Sequence, residues 1–61
     1  MANKLEIEIE QKRRLFMLLE IKAENPGIQI NALNRLIIAT EAEMEQENVA
    51  WVREKIAELH H

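Results

Sequence analysis

The sequence predicts a mainly α chain in which a short N-terminal strand precedes two or three helices, paired with a second copy of itself as an intertwined homodimer. Three observations carry this. The segment Leu5-Glu6-Ile7-Glu8-Ile9-Glu10 alternates apolar and acidic residues with period two. The rest of the chain keeps apolar residues at helical spacings, interrupted by its single proline and single glycine at Asn25-Pro26-Gly27. The chain has only 61 residues and no cysteine. A chain of that size buries only about 60% of the surface it exposes unfolded. With disulfides excluded, self-association is the expected source of further stability.

The strand places Leu5, Ile7 and Ile9 on one face. The competing reading makes Asn3 to Glu24 one helix, opened by a capping box between Asn3 and Glu6. On a helix Ile7 would fall away from the Leu5–Ile9 side, so the strand is preferred. Residues 11–24 read as helix, with Phe16, Leu19 and Ala23 on one stripe and Leu15, Leu18 and Ile21 widening it. Asn25-Pro26-Gly27 ends that helix. A second helix is expected from Asn31, a plausible N-cap, to about Met44, with Ile30, Leu33 and Ile37 on its buried stripe. Thr40 and Glu43 offer a further capping box. Met44 and Trp51 continue the same stripe, while Val49, Val52, Ile56 and Leu59 follow one rotated by roughly a quarter turn, at about 100° per residue. A C-terminal helix to Leu59 is expected, either separate or continuous with the second. Residues 1–59 form one small dimerising domain, and His60-His61 reads as a tag remnant.

A lone strand leaves backbone donors and acceptors unpaired, and no second strand is available within the chain. Pairing with its own copy about a two-fold axis closes a dimer. Together with the run Lys4 to Ile9, the stripe Phe16, Leu19 and Ala23, and the joint Lys22 to Asn31, this resembles the ribbon-helix-helix family of Arc- and Mnt-type phage repressors. The resemblance covers about two-thirds of the chain. It implies a dimer core of Leu5, Ile7, Ile9, Phe16, Leu19, Leu33 and Ile37, extended by Met44 and Trp51. It also implies a DNA- or partner-facing surface of Lys4, Glu6, Glu8, Arg13 and Asn31. The all-α alternative is a helical hairpin dimerising into a four-helix bundle.

The residue types narrow the function. There is no Ser, Tyr, Asp or Cys and only one Thr, and the two histidines end the chain. Nucleophilic catalysis needs an activated nucleophile beside a base, so no enzyme, cofactor or metal site is expected. The formal net charge is −3, and Glu6 and Glu8 on the ribbon's outer face would repel phosphate, which disfavours DNA. Lys12-Arg13-Arg14, with Arg35 nearby, is the only basic cluster. It reads as a solvated helix face paired to glutamates more readily than as a phosphate contact. Glu41, Glu43, Glu45 and Glu47 diverge too far on a helix to chelate one ion. Trp51 is expected to be buried in the chain's own core or dimer interface. No apolar run approaches the ~18 residues of a membrane span, and no signal peptide is expected. The sequence therefore points to a cytoplasmic, non-enzymatic regulatory module that binds itself and another protein, with a DNA-binding repressor or antitoxin as the alternative. Phe16→Ala and Ile37→Ala are each expected to cost about 2–5 kcal/mol.

Overall fold

The computed structural model describes residues 3–27 and 31–60. It contains three α-helices: α1 (Lys4–Glu24), α2 (Asn31–Ala42) and α3 (Gln46–Leu59). Among the described residues there is no strand. The expected ribbon over Leu5–Glu10 is therefore corrected, and with it the ribbon-helix-helix arrangement. The alternation of Leu, Ile and Glu is carried on the first two turns of α1.

Local chemistry explains why helix prevails there. Asn3 is extended, with φ −85° and ψ 171°, and its side-chain oxygen accepts the Glu6 backbone N–H at 2.9 Å. That satisfies one of the orphan donors of the first turn. Glu6 lies in the first turn and Lys22 in the last, each with the sign the helix dipole favours. Leu, Glu and Lys are good helix formers, and beyond its first turn the helix supplies the backbone partners internally, which a lone strand cannot. Lys4 and Glu8 add a pair at i,i+4, 3.9 Å apart. Asn3→Ala should therefore cost about 1 kcal/mol, as loss of a helix N-cap does. The check is a lower denaturation midpoint with an unchanged denaturant slope.

α1 ends where Asn25 donates its Nδ2 to the Ile21 carbonyl at 2.8 Å and its backbone N–H to Lys22. Pro26 and Gly27 form the turn that follows. Ile30, expected on the buried stripe, lies outside the described residues. So does any cap ahead of Asn31, which is the first residue of α2. The second and third helices are separate. The turn at residues 43–45 is set by backbone bonds from Glu43 to Thr40 and from Met44 to Glu41. Thr40 is buried inside α2 rather than opening a helix with Glu43, so the expected capping box there is corrected. Glu45 precedes α3, its carbonyl accepting from Asn48 and Val49.

The core lies where α1 packs against both α2 and α3. Leu15, Leu19, Ile37, Met44 and Val52 are buried, with Phe16, Leu18, Leu33, Val49 and Ile56 packed against them. Leu15 and Val52 are fully enclosed, each 0% exposed. Ala23 and Ile21, placed by the sequence on the buried stripe, are exposed. α1 alone, at about 1.5 Å per residue, runs some ~30 Å, and the molecule measures 39 × 25 × 17 Å. Its radius of gyration is 12.0 Å, against about 10.5 Å for a compact chain of this length. The long helix thus presents more side surface than two short helices cover.

Candidate functional site

Part of the surface α1 leaves uncovered is apolar. Leu5, Ile7, Ile9, Met17 and Ile21 of α1 are exposed, as are Leu36 and Ile38 of α2 and Trp51 and Leu59 of α3. Among the described residues this is more large apolar side chains outside than the five buried. Scattered single exposures are ordinary, but a contiguous patch marks a contact surface.

Continuity exists at one place. A groove of about 390 Å³ runs between α1 and α3, lined by Ile9, Lys12, Arg13, Phe16, Met17 and Trp51. Both aromatic residues of the chain meet there. At about 100° per residue Ile9 and Phe16 lie within roughly 20° of each other on α1, with Arg13 and Met17 beside them. α3 places Trp51 opposite. Trp51 is 48% exposed on the single chain, so of the two expected places for it, the chain's own core is corrected and a dimer interface is left. Val52, its neighbour, takes the buried position instead.

The electrostatics of the groove are positive. The Lys12 ammonium sits 5.0 Å from the centroid of the Trp51 ring, and Lys55, one turn along α3, sits 5.7 Å away. Both fall within cation–π range. The ring therefore gathers two like charges at the edge of an apolar cleft, with Arg13 on the other wall. Two lysines over one ring bring a local basic character that the net charge of −3 conceals.

The expected basic cluster is not one surface. Lys12 turns toward Trp51, Arg13 lines the same groove, and Arg14 lines an adjoining depression with Glu10, Leu18 and Ile21, which Arg13 and Met17 share with the groove. Of the expected dimer core, Leu19, Ile37 and Met44 are buried within the single chain, Phe16 and Leu33 are half-buried, and Leu5, Ile7, Ile9 and Trp51 are exposed. Of the expected partner face, Lys4, Glu6, Arg13 and Asn31 are exposed and Glu8 is half-buried beside Lys4. Glu6 and Glu8 do not share a face, because two residues on a helix diverge by about 200°. Lys55 was not singled out by the sequence, Leu15 was placed only as a widening of the buried stripe, and Lys12 only within the basic cluster. The i,i+4 spacing of Trp51 and Lys55 was a visible signal, whereas Lys12 reaches the ring only through tertiary packing.

The acidic run beyond Thr40 has a structural use. Arg53 Nε donates to the Glu41 carboxylate at 2.6 Å, tying α3 to α2 across the turn. That hydrogen bond raises the Arg53 pKa above its ordinary value, partial burial opposes the shift, and the Glu41 charge adds to it. Gln11 of α1 donates to the Glu43 carbonyl at 3.2 Å, fixing the same turn against the long helix. Among the described residues no group of three or more His, Cys, Asp or Glu is placed to hold a metal ion. No described helix is long and apolar enough to cross a membrane. No protein-family model matches the chain, and comparisons with curated proteins and with solved structures likewise return no match.

Proposed function

We propose that the chain is a small, non-enzymatic, regulatory protein-interaction module that works as a homodimer. The observation that carries this reading is the exposed apolar groove with Trp51 on its wall. Tryptophan and arginine are enriched at the energetic centres of protein interfaces, and the groove brings Trp51 and Arg13 together. The residue inventory supports a binding role over chemistry. The chain's one side-chain hydroxyl, Thr40, is buried, and the chain has no Ser, Tyr, Asp or Cys. Size adds to the argument, since a five-residue core is small for an independent fold.

Sedimentation equilibrium at micromolar concentration tests the homodimer, with a dimer as the expected result. Co-purification with the groove intact and with Trp51→Ala tests binding to a second protein. The expected outcome is a companion protein that the variant loses. A folded monomer throughout the concentration range would overturn the homodimer. Tight, salt-sensitive binding to mixed-sequence duplex DNA would overturn the protein-interaction reading, since that dependence reports phosphate contacts.

A further inference from the structure

The groove is apolar and basic, and one segment of the chain has the opposite character. Leu5 and Ile9 lie one turn apart on α1, 65% and 46% exposed. Glu6 and Glu10 run beside them at the same i,i+4 spacing, both exposed. Among the described residues neither glutamate makes an ion pair, and neither Lys12 nor Arg13 does. An acidic, apolar helical edge and a basic, apolar groove therefore sit on one molecule, each unpartnered within it.

We propose that the groove of one copy receives the first two turns of α1 from a second copy, the two helices running antiparallel about a two-fold axis near residues 10 and 11. This rests on the homodimer reading and names its seam. Antiparallel pairing about that point sets Leu5 opposite Phe16 of the second copy and Ile9 opposite its Lys12. Glu6 and Glu10 then fall within one turn of the second copy's Arg13, on the same side of the seam. The two-fold repeats each contact, so both grooves are filled and both acidic edges are neutralised. Charge complementarity selects the direction. A parallel pairing would lay the two acidic N-terminal segments against each other, and like charges across an interface select against it.

Two charge variants test this. Glu6→Lys with Glu10→Lys makes edge and groove both basic. Lys12→Glu with Arg13→Glu makes both acidic. Each variant alone should dimerise more weakly by about tenfold or more, since close charge pairs are reversed in both halves. Their equimolar mixture should restore the parent affinity, because the seam then pairs opposite charges in each half. Circular dichroism of each variant establishes that α-helix is retained. As a second measurement, the cysteine-free chain accepts single cysteines. Leu5→Cys mixed with Met17→Cys should oxidise to a cross-linked heterodimer faster than Leu5→Cys mixed with Leu59→Cys. A parent dimer whose charge variants stay dimeric, or whose cysteines cross-link without preference, would overturn the seam and leave the homodimer standing. A monomeric parent would overturn both. A monomeric parent whose Trp51 fluorescence responds to an added acidic amphipathic peptide would assign the groove to a different chain and overturn the seam as well.

Discussion

Leu15→Ala is expected to cost about 3–5 kcal/mol, the upper part of the range for leucine truncation in a packed core. Leu15 is 0% exposed and sits at the centre of α1, among Leu19, Ile37, Met44 and Val52. Truncation removes the transfer free energy of the side chain and leaves a cavity that three helices cannot all close around. A chain of 61 residues holds a total stability of roughly 3–9 kcal/mol at the usual value per residue. The loss is therefore a third or more of the total, read as a thermal midpoint of the helical circular dichroism lowered by at least about 12 °C. Ile37→Ala belongs to the same class, since Ile37 is 4% exposed. Phe16→Ala does not. Its ring is only half-buried, so the cost to the single chain falls below the range expected from the sequence. An unchanged melting curve for Leu15→Ala would mean that the core is built elsewhere.

The helical middle and C-terminal parts of the fold were legible because their signals are local. Pro26 and Gly27 end α1 by backbone chemistry that no packing overrides, and Leu33, Ile37, Val52 and Ile56 kept the spacing that buries one helix face. The N-terminal segment was misread because its pattern satisfies two periods at once. Leu-Glu-Ile-Glu-Ile-Glu is a half-buried strand only if a partner strand exists. On α1 it becomes a helix with apolar groups around much of its girth, which is why Leu5, Ile7 and Ile9 all remain exposed. Asn3 held the deciding cue, and its cap to Glu6 fitted the sequence as well as the strand did. What tips the balance is energetic. Helix pairs every interior backbone group within the segment, whereas the strand leaves both edges unpaired without a second copy.

The break after Ala42 was legible only as one of two options. Met44 and Val49 lie on stripes that a continuous helix could present to two neighbours. The structure instead uses a turn held by Gln11 from α1 and by the Arg53–Glu41 pair. Both ties span long stretches of sequence, so no local pattern announces them. The same limit applied to the groove. Trp51 and Met44 are one heptad apart, which suggested a shared buried stripe. The turn between them resets the rotation of α3, so Met44 goes inside with Val52 and Trp51 goes outside toward Lys12.

If the fold and the dimer are linked, the melting temperature should rise with protein concentration. Association adds about 1.4 kcal/mol per dimer for each tenfold rise in concentration, by mass action. That is roughly 0.7 kcal/mol per protomer, and for a domain this small it corresponds to about 3–6 °C. Ile9→Lys should remove the dependence. Ile9 is 46% exposed and absent from the core cluster, so the substitution changes the stability of a single chain by only about ±0.5 kcal/mol. In the assembled pair it would set an ammonium opposite the second copy's Lys12 and near its Arg13, in the apolar groove at the centre of the seam, where a desolvated like charge is strongly disfavoured. Thermal melts of parent and variant across two decades of concentration make the measurement. The parent should show a slope, and the variant a flat line close to the parent's low-concentration limit. A flat parent would refute the linkage between folding and self-association. Parallel slopes would place the interface on another apolar face, with exposed Leu36 and Ile38 of α2 as the next residues to substitute.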